Sequence, residues 1–154
     1  MKKFLLTFIC LLIGLGVFAG EQQDALNFFN SFVSASNSYS ASLLKMYSDD
    51  AKIIRQVVKP NGQLVNAYFS IDAYRKQLKI SSQLAKMRNY KNYYSDIKIT
   101  KVSNGYRIDA MRKPSASDYK LKSYVVVQKQ QNGKWLIVEE LMQTKEQIFL
   151  KYAK

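Results

Sequence analysis

Three acids stand inside stretches that read as β-strands, and they have the most to offer a reaction: Asp109, Glu139 and Glu140. A carboxylate carried on a strand into a protein interior can serve as general acid or base when burial raises its pKa. It can equally be held as a salt by a buried arginine, and Arg55 and Arg112 are placed to do that. The ion pair is the preferred expectation. Side-chain alternation puts Trp135, Ile137, Glu139 and Leu141 on one face of their strand, with Leu136, Val138, Glu140 and Met142 on the other. One glutamate therefore faces inward, and alternation does not say which. Asp49 and Asp50 form an adjacent pair, but their context reads as a corner where aspartates bond the local backbone.

Residue types that are missing narrow the chemistry further. The 154-residue chain has no histidine and one cysteine, Cys10, which sits in an N-terminal apolar run. Imidazole acid–base catalysis, Ser-His-Asp triads and the usual zinc sites are excluded on composition. No glycine-rich phosphate loop or carboxylate-rich metal loop is present in the sequence, so neither cofactor nor metal is expected. Aromatic residues are plentiful, with 11 Tyr and 8 Phe. Arg55, Tyr68, Tyr74, Tyr124 and Trp135 are the expected lining of a ligand cavity, because tyrosine offers an apolar body with a hydroxyl handle. Ordinary packing competes with that reading, most strongly for Trp135.

Lys2 and Lys3 precede an uncharged apolar stretch from Phe4 to Phe18, followed by Ala19, Gly20 and the polar Glu21-Gln22-Gln23-Asp24. That stretch is too short to cross a hydrocarbon core of ~30 Å comfortably. It has the layout of a secretory signal peptide spanning residues 1–19, cleaved after Ala19 or Gly20. Cleavage leaves a single domain over residues 21–154, without thiol or disulfide, in the periplasm or outside the cell. An uncleaved membrane anchor is the competing expectation.

Charge points to the kind of partner. The chain carries 24 Lys+Arg against 11 Asp+Glu, for a net +13. Such a surface attracts anionic material, although scattered basic residues also serve solubility alone. Arg75, Lys79 and Lys86 make a stripe on a predicted long helix, to be read as a solvated face or as a docking face for an anionic envelope surface. Export makes nucleic acid an unexpected partner.

These groups need elements to position them. Apolar residues Ala25, Leu26, Phe28, Phe29, Phe32 and Val33 predict a helix opening at Asp24 and ending in the Ser-rich stretch 34–42. Leu43 to Tyr47 predicts a second, short helix. Ala51 to Val58 and Leu64 to Phe69 predict a hairpin around Lys59-Pro60-Asn61-Gly62. Ser70 reads as the cap of a helix from Ile71 to about Arg88. Its apolar residues fall on two opposite faces, with Ile71, Tyr74, Leu78 and Ala85 on one, and Ile80, Leu84 and Met87 on the other. Either both faces are buried or the helix kinks at Ser81-Ser82. Four strands follow, at 94–102, 106–112, 121–130 and 134–145, joined at Asn104-Gly105, at the loop 114–118 and at Asn132-Gly133. Glu146 to Lys154 predicts a short tail helix.

Two of these stretches carry a resemblance. Tyr47-Ser48-Asp49-Asp50-Ala51 before a strand, and Gly133-Lys134-Trp135 before an apolar strand, resemble the nuclear transport factor 2-like superfamily. The resemblance covers nearly the whole chain after the leader. It implies an α+β fold in which a curved antiparallel sheet packs on three helices to form a cone. In the ketosteroid isomerase branch of that superfamily, a general-base aspartate lies on the first strand and a tyrosine on the first helix. Matching without gaps puts Arg55 and Ser31 at those positions, and no acid occurs between Lys52 and Ser70. A guanidinium does not act as a base at usable pH, so isomerase chemistry is disfavoured.

The expected role is an exported, non-catalytic binding module. It would hold a small amphipathic ligand in the cone, or an envelope protein on its sheet or basic surface, with pairing of two copies through the sheet as a further expectation. An enzyme of the polyketide cyclase or isomerase type, using Asp109, Glu139 or Glu140, is the first alternative. An assembly component of an envelope secretion machine is the second.

Overall fold

The computed structural model describes residues 2–153, with side chains described from Ala19 onward. Of the expected leader, residues 1–19, the side chains of residues 1–18 lie outside the described set. Helix α1 runs unbroken from Lys2 to Asn37, so Asp24 is not its start. Glu21, Gln22 and Gln23 are good helix formers, and nothing between Ala19 and Asp24 interrupts the ladder. The helix ends inside the Ser-rich stretch, as expected. Ala25, Phe29, Phe32 and Ala35 are its buried face, spaced by three and four residues.

A 3-10 helix, Ala41–Met46, takes the place of the short second helix. Strand β1 then runs from Tyr47 to Val58, four residues longer at its start than Ala51 implies. Asp49 and Asp50 thus lie within a strand rather than at a helix-to-strand corner. They occupy a bulge, because the pairing of β1 with the last strand skips between Tyr47 and Lys52. Both are exposed; the Ser48 hydroxyl donates to Asp50 Oδ1.

Strand β2, Leu64–Phe69, returns antiparallel to β1. Helix α2 follows over Ile71–Met87, and the Ser70 hydroxyl accepts from the Ala73 N–H at its start. Such a cap contributes about 1 kcal/mol. Ile71 and Tyr74 face the core. The opposite apolar stripe is neither buried nor relieved by a break in the helix: Ile80 and Met87 are 80% and 84% exposed. The remaining strands are β3 (Asn92–Val102), β4 (Gly105–Pro114), β5 (Leu121–Lys129) and β6 (Trp135–Thr144). A second 3-10 helix, Gln147–Tyr152, stands where a tail helix was expected.

The sheet order is β2-β1-β6-β5-β4-β3. It is curved and open, and the three N-terminal helical segments pack against its inner face, an α+β arrangement. One ladder departs from the antiparallel expectation: β1 pairs parallel to β6. The chain makes β1 first and β6 last, and laying them side by side closes the centre of the sheet. Phe29, Phe32, Tyr47, Ile53, Tyr106, Ile108, Val125, Val127 and Ile137 form the core beneath the helices.

One bulge in this core decides the site. Along β5 and β6, Val127 pairs with Ile137 but Val126 pairs with Glu139, so Val138 is an extra residue. Strict alternation would place Ile137 and Glu140 on opposite faces. The bulge resets the alternation, and both face the helices at 1% exposure.

Candidate functional site

Glu140 arrives in the interior from β6, and three groups converge on it. Arg55, from β1, places Nη1 2.7 Å from Glu140 Oε1. The Tyr47 hydroxyl donates to Glu140 Oε2 at 2.5 Å. The Tyr74 hydroxyl, from α2, donates to Oε1 at 3.4 Å and lies 3.4 Å from the Tyr47 hydroxyl. Arg55 also stacks over the Tyr74 ring, 4.9 Å from its centroid, and donates to the Ile54 carbonyl. The bulge at Val138, the inward phase of β1 and the first turns of α2 all have to be right for these groups to meet.

The environment tunes each of them. Burial first, and then the Glu140 charge, push the Tyr47 hydroxyl well above its ordinary range. The same two causes, in the same order, raise Tyr74 to about 12. Burial acts to lower the Arg55 value, but Glu140 together with the two tyrosines outweighs it, and the net shift is upward. Both tyrosines are therefore held as neutral donors, and Arg55 is held as a cation. Glu140 has both oxygens engaged.

Beside this network lies a second one, built on Arg112 from β4. Its Nη1 donates to Asn92 Oδ1 at 2.7 Å, and its Nη2 donates to the Gln143 carbonyl at 2.8 Å. Its Nε is buried without an acceptor. Asn37, at the end of α1, clasps Asn92 through two 2.9 Å bonds, donating to its carbonyl and accepting from its N–H. Tyr94 stands alongside. Burial, then Glu140, raise its pKa, while Arg112 acts in the opposite direction.

Both networks form the floor of a cavity of about 350 Å³. Its walls come from α1, the first 3-10 helix and α2, with Phe32, Leu43, Leu44, Leu78 and Ala85 as apolar surface and Lys79 at the margin. This size lies within the usual range for small-molecule sites. Tyr47, Tyr74, Arg55, Tyr94 and Arg112 all line it, but Glu140 does not. A bound molecule meets donors and a ring-lined wall, and the carboxylate sits behind them. The chemistry that this lining offers is hydrogen bonding and charge.

The residues singled out in the sequence separate into three places. Arg55 and Tyr74 line the cavity together. Tyr124, Glu139 and Asp109 gather elsewhere, on the opposite face of the sheet. There Tyr124 donates to Glu139 Oε1 at 2.6 Å, Arg107 pairs with Asp109 at 2.7 Å, and Arg107 lies over the Tyr124 ring at 3.7 Å. Trp135 packs on Tyr106, with ring centroids 6.1 Å apart, and Tyr68 is 48% exposed on β2. Neither of these two lines the cavity: Trp135 packs against the hydrophobic core and Tyr68 is turned to solvent.

The basic stripe also divides. Arg75 is committed to structure: it donates to the Tyr47 carbonyl at 2.9 Å and to Asp49 Oδ1 at 2.8 Å, tying α2 to the bulged start of β1. Lys79 borders the cavity and Lys86 is exposed near the end of α2. Tyr47, Asn37 and Asn92 are site residues that composition and alternation did not single out. Tyr47 carried one usable signal, an aromatic residue at the junction of two elements. Asn37 carried another, as the residue on which a Ser-rich stretch ends a helix.

No family model matches this sequence, and neither does any curated protein. Solved structures do match it. A protein of unknown function from Pseudomonas putida, described as NTF2-like, aligns over 80% of this chain and 85% of its own, at 11% identity and a TM-score of 0.60. An NTF2-like protein with a cystatin-like fold from Novosphingobium aromaticivorans aligns over 88% and 89%, at 8% identity and a TM-score of 0.62. A candidate ketosteroid isomerase from Shewanella frigidimarina aligns over 76% and 92%, at 15% identity and a TM-score of 0.53. The shared order of helices, bent sheet and cone is what these likenesses measure, and the chain has the nuclear transport factor 2-like fold.

Proposed function

We propose that this protein is an exported binding domain that holds a small amphipathic molecule in the cone between its helices and its sheet. The observation that carries the reading is the construction of the cavity. Apolar and aromatic walls from α1, the 3-10 helix and α2 stand over a floor of neutral and cationic donors. An apolar body fits the first part and a polar head the second. Glu140, the buried acid that a cyclase or isomerase reading would call on, is tied to Arg55, Tyr47 and Tyr74 and does not line the cavity. Export is supported by the charge, length and flanks of the leader.

Mass spectrometry of the protein recovered from an expressing bacterium tests both parts. Under denaturing conditions, a mass beginning at Gly20 or Glu21 is expected. Retention of the leader would overturn export. Under native conditions, the expected result is a stable additional mass of small-molecule size. A mass without additions, unchanged after exposure to amphipathic probes, would overturn the cavity reading and turn attention to envelope partners on the outer surface.

A further inference from the structure

We infer that the ligand of this cavity carries a single carboxylate, and that Arg112 and Tyr94 receive it. The inference rests on the cavity reading above and adds the chemical class of the ligand. It starts from a count of buried charge. Arg55, Arg112 and Glu140 are 8%, 4% and 1% exposed. Arg55 and Glu140 neutralise one another at 2.7 Å. Arg112 makes no ion pair among the described residues; its two acceptors, the Asn92 side chain and the Gln143 carbonyl, are neutral. Among the described residues, the interior is thus left with one positive charge unbalanced.

A buried guanidinium without a counter-ion is costly, and a protein that retains one has a use for it. Its donors are also not fully met, since Nε is buried without an acceptor. Planar forks of this kind suit carboxylates, which offer two oxygens in a matching plane. One negative charge restores neutrality; a doubly charged head would reverse the imbalance instead of removing it.

Tyr94 is the second, independent sign. It lines the same cavity, and no hydrogen bond is made by its hydroxyl among the described residues. Asn92, by contrast, has its acceptors taken: its carbonyl accepts from Asn37, and its side-chain oxygen accepts from Arg112 and the Tyr90 hydroxyl. The floor therefore presents donors in excess of acceptors, as an anion requires. Glu146 is the acid bordering the neighbouring cavity that Arg112 also touches, and it is exposed and makes no ion pair with Arg112. Lys79 at the margin adds a positive field on the way in.

Calorimetric titration of the full-length chain tests this with matched probes: decanoate against decanol, and naphthoate against naphthalenemethanol. At least one acid is expected to bind ten or more times tighter than its alcohol. In Arg112→Met that preference collapses to within about threefold. Tyr94→Phe removes no hydrogen bond seen in the fold, so it should leave melting unchanged and cut acid affinity severalfold. Alcohols and acids that bind equally, or a preference that survives Arg112→Met, would overturn the inference and leave the cavity reading standing. Failure of all four probes to bind the unaltered chain would overturn both.

Discussion

Glu139 and Glu140 are neighbours in sequence, and each ends in a cluster of the same three residue types. On the inner face, Glu140 meets Arg55, Tyr47 and Tyr74. On the outer face, Glu139 meets Tyr124, whose ring carries Arg107, itself paired with Asp109. The two differ in their surroundings. The inner ion pair is nearly sealed, with side chains 10% and 2% exposed, whereas Arg107 and Asp109 are 41% and 39% exposed. Water screens the outer contacts and lets either partner solvate if the other leaves. Inside, the loss of one partner leaves the other stranded. The comparison teaches that residue type alone does not rank these acids; their position on the sheet does.

The largest expected effect is therefore from breaking the inner pair. Arg55→Ala should destabilise the domain by about 3 kcal/mol, measured by denaturant unfolding, because Glu140 stays buried without its cation. Replacing both, Arg55→Met with Glu140→Leu, should recover most of that loss. An unchanged stability in Arg55→Ala would place the pair in solvent and dissolve the contrast between the faces.

Alkaline pH should sharpen the contrast next. Tyr74 is raised in the folded protein from its ordinary 10.0 to about 12, so folding favours its protonated form. Its contribution is complete below pH 10 and is lost as pH rises through about 12, amounting to roughly 3 kcal/mol. Tyr124 is also raised to about 12, by burial and then by its bond to Glu139, but solvent reaches it. The fall in stability above pH 10 should shrink clearly in Tyr74→Phe and only slightly in Tyr124→Phe. Equal changes in the two variants would count against the account.

Single hydrogen bonds come after that. Tyr47→Phe removes a donor to a buried charge and should cost about 2 kcal/mol in denaturant unfolding. The smallest effect belongs outside: Arg107→Ala should cost less than about 1 kcal/mol, and the loss should vanish in high salt. A larger, salt-resistant loss would mean that the outer cluster is also a sealed unit.

Much of the architecture could be read from local patterns. Ser70 caps α2, Lys59-Pro60-Asn61-Gly62 turns β1 into β2, and Asn132-Gly133 turns β5 into β6, with Gly133 at φ +80°. Asn104-Gly105 also marks a hairpin, though Gly105 has a second reason: a Cβ there would lie 2.0 Å from the Val127 carbonyl oxygen. The site was less legible, because two long-range events assemble it. The parallel pairing of β1 with β6 brings Arg55 and Glu140 together from opposite ends of the chain, and no local pattern encodes it. The bulge at Val138 shifts the alternation of β6 by one, and Val138 looks like any other strand residue. Tyr47 reads in sequence as the last residue of a short helix, yet it is the first residue of β1, for a related reason. Tyr47 is drawn into β1 by its contacts with Phe32, Tyr74 and Glu140, and all of these are distant in sequence.

The most direct test is a nuclear magnetic resonance titration of the nitrogen-labelled full-length chain with decanoate. The account predicts that shifts concentrate on residues lining the cavity, among them Tyr47, Arg55, Tyr74, Tyr94 and Arg112. Tyr124, Glu139 and Asp109 on the other face of the sheet should stay still. Shifts centred on that outer cluster, or none on the inner one at saturating probe, would contradict it.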